Sequence, residues 1–384
     1  MVVAALGACG AALPPLPSEG GPAWQEIQSE HFTLWTDASS QRGQALVREM
    51  EKRRQVMLRA MRLQPRSGKI FAIALRNERE LEVFLPSHVA AIAWSSETPA
   101  RRAGIALHAD SPDDEQANIL NHEVAHAISY GLLQHQPKWL AEGLATYFEN
   151  AEYAEEDGTV RLGVPRRDQA VRLREAGAIP VADLLACDAT ACSSNADFYA
   201  SSWLLFSHLL NHHYEAFGRY LERLKQLPRD QALQAWQEAF SELSLAKLDA
   251  ELSLLIRTFD LAVPEISVDV RPAPTTTRAL GDADALAARG LLHALVDRRD
   301  AALTAARASL AADRTHVLAW LISAWLGTMP TVAEARATAA AHPDDGRAWQ
   351  MLRAVSNDAE LAEAIASLCE LAKEAGEPCE LPEP

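Results

Sequence analysis

No stretch of this chain comes near the roughly 18 uninterrupted apolar residues that a membrane-crossing helix needs. Basic residues are also in short supply. Lys and Arg number 36 against 52 Asp and Glu, and the resulting net charge of −16 repels polyphosphate backbones and anionic lipid over most of the surface. Arg166-Arg167 and Arg298-Arg299 are isolated pairs, too small for an electrostatic nucleic-acid footprint, so no nucleic-acid partner is expected. Cysteine is scarce as well, with 5 in the chain. Setting Cys9 aside, Cys187 lies near Cys192 and Cys369 near Cys379, and proximity favours two local bridges. Four reduced thiols are the alternative.

The remaining composition is that of an ordinary globular chain, 48% apolar and 23% charged, and 384 residues at about 150 per domain allow two or three domains. Residues 1–14 are apolar and small, and Leu6-Gly7-Ala8 ahead of Cys9 resembles the end of a bacterial lipoprotein signal, without its basic start and with a shortened apolar run. That resemblance implies an extracytoplasmic site, periplasm or cell envelope, with Cys9 as a lipid anchor. A loosely ordered tail is the other reading. Leu13 to Pro22, rich in Pro and Gly, reads as a linker.

The fold class expected is α+β, with strands in front and helices behind. His31 to Thr36 alternates like a half-buried strand, Ser39 to Leu63 follows a helical period, and Lys69 to Leu75 and Gly104 to His108 read as further strands. Glu78 to Leu85 reads as a short helix closed by Pro86, and from Ser111 onward the pattern is almost wholly helical. Gly104 to His108 is also a candidate edge for pairing with an extended peptide. Glu265 to Arg278, with its prolines and threonine run, reads as an interior linker. Beyond it the chain is Ala-rich, and the segments around Trp320 and Trp349 resemble each other 29 residues apart, as in a short tetratricopeptide-like array of helix pairs. An ordinary helical bundle is the plainer alternative. The expected divisions are therefore 1–22, signal remnant and linker; 23–262, the main domain; 263–279, linker; 280–375, helical repeats; and 376–384, tail.

His122-Glu123-Val124-Ala125-His126 is the informative motif. Helix positions four apart lie about 40° apart on one face and about 6 Å along the axis, so both imidazoles reach one metal ion. A hydrolytic zinc site takes three protein ligands and leaves one position for water, and the intervening Glu123 is placed to deprotonate that water. With 12 His in 384 residues, random placement yields such a pattern only roughly 3% of the time. Ser111-Pro112-Asp113-Asp114 supplies helix-start signals just ahead of it, and Asp113-Asp114-Glu115 reads as acids at a helix N-terminus rather than a calcium site. The third ligand is expected at Glu142, 16 residues after His126.

Here the sequence resembles the gluzincin metallopeptidases of the peptidase MA-like type, which include the thermolysin and aminopeptidase N families. Trp139, Leu140, Glu142, Gly143 and Ala145 match the WLxEGxA motif of their second helix position by position. The resemblance implies one zinc per chain held by His122, His126 and Glu142, with Glu123 as general base and a peptide or protein as substrate. Phe198-Tyr199-Ala200-Ser201 is similar to the family's YAxS segment, which implies that the Tyr199 phenol donates to the oxyanion; a core tyrosine is the bland alternative. Two features depart from the family. The residue four after Glu142 is Thr146 where an acid often orients a zinc histidine, which leaves Glu149 or Asn121 to take that part. The GxMxN strand motif of aminopeptidase N relatives is missing, so an endopeptidase is expected rather than an aminopeptidase. The rival reading is a catalytically silent, metallopeptidase-like binding or scaffold protein, using the cleft and the helical array, which would also offer a surface to a protein partner.

His208 and His212 repeat the four-residue spacing and are followed by His213, but no acid separates them; they read as a partly exposed helix face before a second metal site. His108 and His135 lie near the expected cleft mouth, where either could touch substrate.

Overall fold

In the computed structural model, the described residues are 13–61, 68–86, 91–110, 114–133, 136–154, 158–187, 195–227, 231–261, 263–269 and 273–356. The expectations for Cys9, His135, Cys192, Cys369 and Cys379 lie outside them. The architecture is α+β, as the sequence indicates. The chain opens with β1 (Trp24–Gln28), β2 (Phe32–Thr36), α1 (Ser40–Met61), β3 (Ile70–Leu75), α2 (Glu78–Leu81), β4 (Ala91–Trp94) and β5 (Gly104–His108). Helices then dominate, beginning with α3 (Asp114–Leu132) and α4 (Lys138–Glu149). A small hairpin, β6 (Glu152–Ala154) and β7 (Thr159–Arg161), leads into α5 (Arg167–Ala176), α6 (Val181–Leu185), α7 (Ala196–His212), α8 (Tyr214–Leu224), α9 (Ala232–Ala239) and α10 (Leu245–Thr258). After β8 (Glu265–Ser267) and β9 (Thr276–Leu280) come α11 (Asp282–Leu295), α12 (Arg299–Ala312), α13 (Val317–Trp325), α14 (Val332–Ala341) and α15 (Gly346–Val355).

The main sheet has the order β4-β5-β3-β2-β1-β9. Its centre is parallel, β2 to β3 to β5, and its flanks are antiparallel. Central parallel strands are covered on both faces, and β3, Ile-Phe-Ala-Ile-Ala-Leu, is accordingly buried throughout. Alternate residues serve two cores. Leu34, Ala72, Ala74, Ile105 and Leu107 join the core built with α1, α3, α4 and α7. Trp35, Phe71, Ile73, Trp94 and Ala106 join a second core with Leu291, Leu292, Ala302, Leu318 and Ile322 of α11 to α13. Small side chains let these helices approach closely: Ala285, Ala288, Ala302 and Ala306 are fully buried.

Several sequence expectations change, the first of them because the C-terminal helices lie on the sheet. β2 is buried on both faces and not half-buried. Leu13 to Pro22 is docked rather than a free linker: Ser18 donates from both its backbone and its hydroxyl to Asp282, and Arg289 donates to the Pro14 carbonyl at 2.7 Å. The interior linker expected at 263–279 carries two strands. β8 pairs with β7 and β9 pairs with β1, where Arg278 grips Glu26 through two nitrogens at 2.7 and 2.8 Å. The threonine run that resembled a spacer is β-branched, which suits a strand as well as a coil. Gly104 to His108 is interior; the edge on its side of the sheet is β4, which the sequence reading missed, as it missed β6 and β7. The helix after Asn77 ends at Leu81, with Phe84 and Leu85 buried beyond it.

The two tryptophan segments share one local contact. Trp320 donates its indole N–H to the Arg314 carbonyl and Trp349 donates to the Pro343 carbonyl, each six residues upstream and each at 2.9 Å.

Candidate metal centre

α4 is anchored by Trp139, fully buried, with Tyr220 stacked at 6.0 Å and Trp236 edge-on at 5.8 Å between ring centroids. Its neighbour α7 approaches so closely at Gly143 that a Cβ there would stand 2.4 Å from the Ser202 carbonyl oxygen. This contact explains the glycine after Glu142: only a residue without a side chain lets α7 press α4 toward α3. The carboxylate of Glu142 is thereby aimed at the histidine face of α3.

The three expected ligands converge. His122 Nε2 and His126 Nε2 are 3.1 Å apart, and Glu142 Oε2 lies 3.4 Å from the first and 3.3 Å from the second. A tetrahedral zinc with bonds of about 2.0–2.1 Å separates its ligand atoms by about 3.3–3.4 Å. The spacing therefore fits that ion. Glu142 Oε2 is buried and lies between the two imidazole nitrogens, in position to share a cation with them. The electrostatics agree from both sides. Burial opposes charge on His122, but Glu142 and Glu149 outweigh it and its pKa is pushed up to about 10. Burial would likewise raise Glu142, yet His122 and His126 hold it down to about 2. A proton on His122 balances the carboxylates, and a divalent cation among the same three atoms does so too.

Each histidine is held in a different way. His122 Nδ1 lies 3.1 Å from Glu149 Oε2, so Glu149 takes the orienting part that Thr146 cannot. The other oxygen of Glu149 accepts from Arg166 Nη1 at 2.7 Å, and Arg166 also forks onto Asp168 at 2.9 and 2.8 Å. Asn121 does not touch His122 in that way; its Nδ2 donates to the Glu149 carbonyl at 3.0 Å, and its Oδ1 accepts from Arg53. The ring of His126 is stacked by Tyr130, 5.7 Å away and inclined 12°. The sequence reading missed Tyr130 and Arg166. Tyr130 could have been found, because it lies four residues beyond His126 on the same helix face.

Glu123 stands outside the ligand triad, and its Oε2 accepts from the Ala93 backbone N–H of edge strand β4 at 3.0 Å. Tyr199, in the first turn of α7 after the Asn195 cap, has its ring 6.2 Å from that of His122. The five residues expected to carry the chemistry are thus gathered from α3, α4 and α7. His108 is buried at the end of β5. The side chains of the Asp113-Asp114-Glu115 group lie outside the described residues.

A family model described as a protein of unknown function, DUF1570, matches residues 116–230, which include His122, Glu123, His126, Glu142 and Tyr199. No curated protein matches the chain.

Proposed function

We propose that this chain is a zinc-dependent metallopeptidase of the gluzincin type, cleaving peptide bonds in a peptide or protein substrate. The convergence of His122 Nε2, His126 Nε2 and Glu142 Oε2 at 3.1–3.4 Å carries the reading. Zinc held there would supply Lewis acidity, lowering the pKa of water and polarising a carbonyl. Glu123 accepts the proton of the attacking water and returns it to the departing amine. The Ala93 N–H fixes the direction of that carboxylate. Tyr199, beside His122, donates its phenol to the developing oxyanion. β4, with Ala93 bonded to the general base, is the strand along which an extended peptide would lie.

An endopeptidase is favoured because nothing in the sequence supplies a free-amine site. Cys187 is disulfide-bonded, which together with Cys9 supports an oxidising, extracytoplasmic location. The matched indole contacts of Trp320 and Trp349 support a tetratricopeptide-like array at the C-terminus.

A second reading, a silent binding or scaffold protein, draws on one cavity of about 510 Å³ between the sheet and the C-terminal helices. Trp35, Arg102, His316, Asp345 and Arg347 line it, a mixed set suited to a partner segment. The two readings separate on Glu123→Gln. For the peptidase it keeps the metal and loses hydrolysis of an unfolded protein substrate by several orders of magnitude. Undiminished hydrolysis by that variant, or none by a zinc-loaded wild type, would refute the peptidase.

A further inference from the structure

A second cluster of metal-ligating side chains lies away from the first centre. His208 and His213, at the C-terminal end of α7, both direct Nε2 at one oxygen of Glu251 on α10, at 2.9 and 3.1 Å. The three ligand atoms lie within 4.8 Å of one another. The sequence suggested a partly exposed helix face, but His208 is buried, its side chain 7% accessible, whereas His213 and Glu251 are 23% and 30% accessible. His208 Nδ1 is buried with no hydrogen-bond partner, so packing and the Glu251 contact alone aim the ring.

We propose that His208, His213 and Glu251 form a second divalent transition-metal site, structural in character, that clamps the end of α7 to α10. Two imidazoles and one carboxylate are a donor set for zinc or cobalt rather than magnesium or calcium, which take oxygen ligands. The partly exposed side of the cluster gives the ion an entry path and leaves a coordination position for water. His212, one helical turn after His208 with its ring 4.9 Å away, stands at that side. Glu251 is itself a ligand and no acid occupies the place that Glu123 has between its histidines, which is why the role is structural. The site is separate from the first, since the nine-residue step along α7 from Tyr199 to His208 spans about 14 Å.

The test is zinc and cobalt stoichiometry of the full chain, by equilibrium dialysis and cobalt visible absorption, in the wild type, in Glu142→Ala, His213→Ala and Glu251→Gln, and in Glu142→Ala combined with each of the last two. His213 and Glu251 are chosen because both are partly exposed and their replacement spares the buried His208. The wild type should bind two equivalents, and each single variant one. Zinc should raise the Tm of the Glu142→Ala protein and leave that of a Glu142→Ala, His213→Ala double variant unmoved. If the first centre fails and this one stands, Glu142→Ala will match the wild type at one equivalent, which His213→Ala removes. If Glu142→Ala binds nothing, or its bound metal survives both His213→Ala and Glu251→Gln, the second site is overturned.

Discussion

Glu149 bridges His122 and Arg166, one carboxylate oxygen 3.1 Å from the imidazole Nδ1 and the other accepting from the guanidinium at 2.7 Å. A histidine whose Nδ1 is occupied in this way presents Nε2 to the centre, and its ring cannot turn without breaking the bridge.

Replacing Glu149 by Gln keeps the shape and removes the charge. Zinc affinity at the His122, His126 and Glu142 centre should fall by about 10–100-fold, measured by competition with a chromogenic chelator. Unchanged affinity would mean that the bridge serves only the packing of α3 against α4.

Gly143→Ala tests the close approach of α4 and α7. The new Cβ would meet the Ser202 carbonyl at 2.4 Å, so the helices must separate, at a cost of about 1–3 kcal/mol in denaturant unfolding. Zinc retention should weaken with it, because Glu142 moves with its helix. Gly218→Ala in α8 is the control: nothing lies within 4 Å of its Cβ, and alanine is the better helix former by about 1 kcal/mol. Equal effects at the two positions would contradict the packing account.

Asp37 gives a pH dependence of known sign. Burial and the neighbouring carboxylate of Glu80 push its pKa up from 3.8 to about 7. Between those values the folded chain holds a proton that the unfolded chain releases, so stability falls as pH rises through the window and the deficit is complete above about 7. Asn at this position preserves an acceptor for the Arg76 N–H, now bonded at 2.7 Å, and cannot ionise. Thermal unfolding of Asp37→Asn should show a gain in Tm at pH 8 that shrinks toward pH 5. A gain of equal size at both would show that Asp37 does not titrate in this range.

A fragment ending at residue 262 should fail to fold cooperatively. It lacks β9, which pairs with β1, and leaves Trp24, Trp35, Phe71 and Trp94 without the helices that cover them. Gel filtration and thermal unfolding decide this; a soluble monomer with one sharp transition would restore the boundary expected from the sequence.

The reach of sequence reasoning differed between local and remote features. His122, Glu123, His126 and Glu142 were legible because helical spacing alone brings the histidines together, and the following helix is recognisable from Trp139 to Ala145. Tyr199 was located through its motif, and the structure brings it beside His122. β9 was illegible for the opposite reason. Its side chains, Thr276 to Leu280, are mostly exposed, and only its pairing with a strand at the other end of the chain identifies it. Arg166 was discounted by judging charge as a surface property, whereas its function depends on the buried Glu149 that it faces. The histidines near His208 were noticed, but their partner Glu251 was not, because it stands 43 residues away in the chain.

The pairing of β1 with β9 also has a temporal side. Glu26 and Arg278 are 252 positions apart, so at about 5–20 residues per second the ribosome delivers the second strand about 10–50 s after the first. Both helices that carry His122, His126 and Glu142 are synthesised in that interval, while β1 still has a bare edge and the tryptophan face of the sheet is open to other nascent chains. Translation time therefore sets the shortest interval for which the bare edge of β1 waits for its partner.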